Sequence, residues 1–110
     1  MPLLAGVIAE IYLSRPEEGG RRVSMASGHI GQVLFPGGRE KDGLYTILNG
    51  IPLFPGKSTK VEIRFMAPEA LPEVRAGAVF KMRERGQTVG AGRVLEVLRE
   101  GDTRMMARGA

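Results

Sequence analysis

The sequence predicts an all-β domain, because apolar residues recur with a period of two and turn-forming residues interrupt the chain at short intervals. Val61, Ile63 and Phe65 alternate with charged residues, which is the pattern of a strand with one buried face. Seven prolines and 16 glycines spread along the chain leave little room for a long helix. Short strands at roughly 8–12 residue spacing indicate a barrel or a sandwich.

Each predicted strand is an apolar run bounded by turn residues. In chain order the strands are expected at residues 7–13, 32–35, 44–48, 60–65 and 78–83, with a return strand from 88. The turns between them are expected at 16–20, 36–38, 41–43, 55–56 and 84–87. Gly86 supplies the positive φ that a tight hairpin requires. The alternation fades after Leu98, which predicts a single domain over residues 1–98 and a flexible C-terminal tail over 99–110.

The amino-acid composition excludes several kinds of functional site and indicates the charge of a partner. The chain has 110 residues and no cysteine, which excludes disulfides, a thiolate zinc site and a cysteine nucleophile, and is compatible with a cytoplasmic protein. No apolar run approaches the roughly 18 residues of a membrane span, so no membrane partner is expected. A formal net charge of +4 favours an anionic partner. The basic residues are scattered, however, so a solvated basic surface remains the alternative.

The sequence predicts neither an enzyme nor a cofactor. His29 is the only histidine, so no multi-histidine metal site and no triad with a second imidazole can form. Residues 50–58 end in Gly-Lys-Ser as a phosphate loop does, but five residues separate the glycines instead of four, and two of them are prolines without an N–H. A strand pattern follows where a helix would be needed. We therefore predict no nucleotide site.

Two features near the C-terminus have alternative explanations. Gly90 and Gly92 lie two apart in a predicted strand, so they mark either a barrel corner or a face that a ligand or partner backbone approaches closely. Lys81, Arg83 and Arg85 share one face and either meet phosphates or form the solvated side of a sheet. Only six aromatic residues and no tryptophan are present, which does not support a stacking platform for bases.

Several segments, in order, resemble the C-terminal barrel domain (domain III) of elongation factor Tu. They are residues 10–13 (Glu-Ile-Tyr-Leu), 17–22 (Glu-Glu-Gly-Gly-Arg-Arg), 28–35, 54–57 and 83–94. The last contains Gln-Thr-Val-Gly-Ala-Gly where that family has Arg-Thr-Val-Gly-Ala-Gly, and it is the most specific match. The resemblance covers roughly residues 5–98 and implies a six-stranded antiparallel closed β-barrel.

The resemblance also implies binding residues. In elongation factor Tu this barrel packs on the GTPase domain, touches the T stem of aminoacyl-tRNA and helps to contact the nucleotide exchange factor. The segments that touch tRNA fall here on Arg21, Arg22, Gln32 and Gly90. The two arginines could pair with phosphates, and a bare Gly90 would let a ribose-phosphate backbone come close.

The departures from that family limit what can be carried over. Residues 29–31 (His-Ile-Gly) stand where the family has Tyr-Arg-Pro, and residues 36–43 replace its Arg-Thr-Thr-Asp-Val-Thr-Gly stretch. No GTPase domain accompanies the barrel, so this chain alone is not expected to bind or hydrolyse GTP.

The sequence thus predicts a non-catalytic binding module whose partner is a protein of unknown identity, to be sought among translation components. Two alternatives remain: a module that binds the backbone of tRNA or rRNA, and a diverged structural remnant with no ligand. A homodimer that covers the former interdomain surface is a further hypothesis. An exposed apolar patch would favour a protein partner, and a contiguous Arg/Lys stripe would favour RNA.

Overall fold

The computed structural model describes residues 4–66 and 74–99, which form an all-β barrel. Its strands are β1 (Leu4–Leu13), β2 (His29–Leu34), β3 (Lys41–Ile47), β4 (Ser58–Phe65), β5 (Val79–Glu84) and β6 (Gln87–Arg99). All neighbours pair antiparallel, and the sheet closes in the order β1-β4-β3-β2-β5-β6. The predicted closed six-stranded antiparallel barrel is confirmed. In these residues a single turn of 3-10 helix, Pro16–Glu18, interrupts the strands, and no helix is long and apolar enough to cross a membrane.

Two predicted boundaries differ from the structure. The turn expected at 41–43 is wrong, because these residues begin β3 and Gly43 pairs with Gly31 and Phe65. Gly43 is needed inside the barrel, since a Cβ there would lie 2.7 Å from Ile63 Cγ2. At the other end of the domain, Arg99 belongs to β6 and pairs with Leu4. The rest of the predicted tail, residues 100–110, lies outside the described residues.

The core is built from the alternating inward positions that the period of two predicts. Val61, Ile63 and Phe65 on β4 are all at most 4% exposed. Three phenylalanine rings pack together: Phe35 lies 5.4 Å from Phe80 and 6.3 Å from Phe65, centroid to centroid. Burying a side chain of this size stabilises a fold by about 1.5–3 kcal/mol.

Gly90 and Gly92 both serve the packing of the barrel itself. A Cβ at Gly92 would lie 2.7 Å from Phe80 Cε2, and one at Gly90 would lie 2.9 Å from Met82 Sδ and against the Tyr12 carbonyl. Gly90 is buried. The close approach that these glycines allow is thus made by atoms of the barrel itself.

The topology gathers three loops at one end of the barrel, which we call the Leu13 end. They are the loop after β1, the loop 48–57 before β4, and the β5–β6 hairpin turn. The first two are joined by reciprocal backbone hydrogen bonds of 2.8 Å between Met25 and Leu53. The hairpin turns through Arg85 (φ 52°) and Gly86 (φ 78°), the pair of positive φ values typical of a type I′ turn.

Candidate functional site

Arg21 and Arg22 are adjacent in sequence but differ in their surroundings at the Leu13 end. Arg21 Nη1 lies 3.5 Å from Glu84 Oε2, and its side chain is 17% exposed. Arg22 is exposed to solvent. The charge of Arg21 is thus balanced within the fold, whereas Arg22 presents its charge to solvent.

Glu84 links Arg21 to His29. The same Glu84 Oε2 lies 2.9 Å from His29 Nε2, and the His29 ring packs 5.8 Å from the ring of Tyr45. Burial lowers the pKa of His29; Glu84 opposes this, and Arg21 reinforces it. A neutral imidazole that donates its Nε2–H to Glu84 satisfies this geometry. The cluster of Arg21, His29 and Glu84 ties the loop after β1 to β2 and to the end of β5.

Burial also raises the pKa of Tyr45, with a further contribution from Glu84. The Tyr45 hydroxyl makes no hydrogen bond to the part of the chain that the structure describes. The phenol is therefore kept neutral in the interior, beneath the cluster of Arg21, His29 and Glu84.

Gln32 lies on β2, opposite Asp42 on β3 and Arg83 on β5. These residues line a shallow polar depression together with His29 and Arg85. It is open to solvent and contains carboxylates as well as cations, so it is not a uniformly basic surface.

Arg83 cannot contribute a free cation to a basic stripe. Its Nε donates to Glu40 Oε2, its Nη1 to Thr88 Oγ1 and its Nη2 to the Gly86 carbonyl, each at 2.8 Å. The guanidinium is thereby committed to holding the β5–β6 hairpin. Of the three basic residues predicted to share a face, Lys81 and Arg85 are exposed and Arg83 is not.

The four residues that the resemblance implies for RNA binding therefore differ in their accessibility. Arg22 is accessible and Gln32 is half-buried at the edge of the polar depression, whereas Arg21 is paired and Gly90 faces the interior. The four do not form one continuous phosphate-binding surface.

An apolar groove that the sequence did not predict lies on the outer face of the barrel where β2 and β5 separate. We call it the β2–β5 groove; it encloses about 460 Å³ and is lined by Leu34, Phe35, Pro36, Gly37, Gly38, Val79, Phe80, Lys81 and Ala91. Phe35 and Phe80 are buried at its base, whereas Val79 is 51% exposed. Lys81 is the only charged residue of this lining.

The groove exists because β2 ends opposite Lys81, whereas β5 begins two residues further along the barrel, at Val79. The two strands make only three residue pairs, the last of them Leu34 with Lys81. Continuing that register would place Pro36 opposite Val79, and proline has no N–H for the ladder. The chain instead turns, with Gly38 N–H donating to the Phe35 carbonyl at 3.0 Å and Gly37 at φ 75°. Proline followed by a positive-φ glycine is the pattern of a type II turn.

This early turn exposes the backbone of Val79. Val94 N–H donates to the Ala78 carbonyl on the β6 side at 2.8 Å. Backbone groups of successive residues in an antiparallel strand point alternately to the two neighbouring strands. The N–H and C=O of Val79 therefore point away from β6 and into the groove, where no described residue of β2 pairs with them.

A second exposed apolar surface lies at the Leu13 end. Val23, Ile51 and Phe54 are 62%, 62% and 58% exposed on the two loops that Met25 and Leu53 join. Phe54 belongs to the segment that imitates a phosphate loop. There the Lys57 N–H donates to the Phe54 carbonyl at 3.1 Å, and β4 follows in place of a helix.

No protein-family model matches the chain. The resemblance to the elongation factor Tu barrel thus rests on the motifs quoted above. A small barrel is a fold that serves many functions, so the surfaces of this barrel, and not its fold, indicate its function.

Proposed function

We propose that this chain is a non-catalytic binding module, similar to the C-terminal barrel of elongation factor Tu, which docks a protein partner in the β2–β5 groove. The observation that carries the proposal is the exposure of Val79 beside Leu34 and Ala91 in a groove with one charged lining residue. The proposed partner is a component of the translation apparatus, on the strength of the sequence resemblance alone.

Chemistry favours a protein over a nucleic acid at this place. Covering apolar surface stabilises a complex by about 25 cal/mol per Å², and protein interfaces are anchored by apolar side chains that enter such pockets. A phosphate backbone needs several free cations in a row. Lys81 alone in the lining does not supply them.

RNA binding remains the second candidate because Arg22 and Arg85 are exposed at the Leu13 end and the net charge is +4. It is supported less well, since Arg21 is paired with Glu84 and Arg83 is engaged in three hydrogen bonds. Binding through so few cations would be weak and would have a shallow salt dependence, because the salt dependence grows with the number of phosphates that are neutralised.

Site-specific photo-crosslinking tests the proposal in the organism that makes the protein. A benzophenone amino acid replaces Val79 in the groove, and a matched control replaces Leu95, which is 42% exposed on β6 outside the groove lining. We expect a discrete, light-dependent protein adduct from position 79 and none from position 95. Absence of an adduct at 79, or the same adducts from both positions, would contradict the proposal and favour RNA binding or a remnant without a ligand.

A further inference from the structure

We propose that the partner enters the β2–β5 groove as an extended peptide segment, which adds to the free edge of β5 at Val79 and carries carboxylates towards Lys81. The inference rests on the proposed function and names the chemistry of the partner segment. Its basis is the coincidence of strand backbone that no described residue of β2 pairs with, an apolar base and a cation within one groove.

The backbone of Val79 supplies the strand-like part of this recognition. Its N–H and C=O point into the groove, because Ala78 bonds to Val94 on the other side and no described β2 residue lies opposite. A residue of an added antiparallel strand exchanges two hydrogen bonds with such a position. Peptides bind many sheets in this way, gaining affinity from backbone bonds and specificity from side-chain pockets.

The side-chain preference follows from the lining. Alternate residues of an added strand point to opposite faces. One set would contact the buried rings of Phe35 and Phe80, which favours aliphatic side chains. The other set would stand at the rim beside Lys81, which is exposed and makes no ion pair with the described residues. An alternation of aliphatic and acidic residues meets both requirements.

A second copy of the chain fits this groove less well. Pairing of Val79 with Val79 of a copy would place Lys81 opposite Gly77, by the two-residue step of an antiparallel register. Gly77 offers no carboxylate, so the charge of Lys81 would be unmet.

The test uses synthetic hexapeptides and the amide resonances of the full-length protein. A Val–Glu alternating peptide is titrated to millimolar concentration while the Val79 amide signal is followed by nuclear magnetic resonance. Two matched peptides are compared: a Val–Lys alternating peptide, and the Val–Glu peptide with N-methyl groups on alternate residues. We expect saturable binding of the Val–Glu peptide with a downfield shift of the Val79 amide proton. Both other peptides should bind at least tenfold more weakly.

Two protein variants separate the backbone contact from the charge. Val79→Pro removes the N–H that faces the groove, and Val79→Ala is its control. Lys81→Glu should weaken the Val–Glu peptide at least tenfold and improve binding of the Val–Lys peptide. If Val79→Pro does not fold, Lys81→Glu and the methylated peptide still decide the question.

The inference would be overturned by equal binding of the methylated and unmethylated peptides, by no binding of any peptide, or by a dimer in light scattering whose interface protects the Val79 amide. A crosslink from position 79 together with failure of the peptides would leave the docking function standing and reject strand addition. Peptide binding without that crosslink would support strand addition at the groove and reject the docking of a cellular protein there.

Discussion

The ring of Phe80 occupies the space that a side chain at position 92 would need. A Cβ at Gly92 would lie 2.7 Å from Phe80 Cε2, and the ring is 2% exposed, so an added methyl group would force a packed ring to shift. The glycine and the phenylalanine therefore form one packing unit between β5 and β6.

We expect Gly92→Ala to destabilise the protein by about 1–3 kcal/mol, the usual cost of overpacking a core. Denaturant unfolding measures the change. Phe80→Leu should partly relieve the clash, so the double variant should be more stable than the sum of the single effects predicts. Strict additivity would show that the two residues do not compete for space.

Stability should fall as the pH is lowered from 7.5 to 5.5 because of His29. The fold lowers the pKa of His29 below 6.5. In this window the unfolded chain therefore binds more protons than the folded chain, which favours unfolding. His29→Gln should reduce the difference between the free energies of unfolding at the two pH values. An unchanged difference would contradict a neutral His29 beside Glu84.

The β5–β6 hairpin should depend on the shape of the Arg83 side chain as well as on its charge. Lysine keeps the charge but cannot make the three bonds to Glu40, Thr88 and Gly86. We expect Arg83→Lys to lose about 1.5–3 kcal/mol in denaturant unfolding, the range for hydrogen bonds to charged groups. The exposed Arg93 provides the control: Arg93→Lys should change stability little. Equal effects would show that the bonds to Arg83 contribute nothing.

The two adjacent arginines give a direct test of the RNA alternative. Arg21→Ala should destabilise the fold, because it leaves Glu84 without its cation, whereas Arg22→Ala should leave stability unchanged. If RNA binds at all, Arg22→Ala should weaken it and reduce its salt dependence. Fluorescence anisotropy of labelled tRNA across a salt series measures this. Flat traces at low salt would reject RNA binding.

Local sequence patterns predicted the strands well because their signal, a period of two, is contained within each strand. Glycines were harder to interpret. Gly86 is needed for the positive φ of a turn, which its sequence neighbours indicate. Gly43 is needed inside a strand because a side chain there would clash with Ile63 on another strand. That contact depends on the register between strands, which the local pattern does not contain.

The candidate site was less predictable for the same reason. The resemblance selected Arg21 and Arg22 alike, and only the tertiary position of Glu84 separates them. The groove arises because the β2–β5 register ends at Leu34 and Lys81, and continuing it would place Pro36 opposite Val79. The sequence predicts a turn at Pro36 and Gly37, but the consequence of this turn for β5 depends on the pairing of the strands in the closed barrel.

Residue-resolved amide hydrogen exchange of the free protein tests the central claim, that β5 has a free edge in the groove. We predict that the Val79 amide exchanges close to the rate of an unstructured peptide, whereas the Phe80 and Lys81 amides, which face β6 and β2, are strongly protected. A Val79 amide as protected as that of Phe80 would contradict the account, because it would show that the chain itself closes this edge.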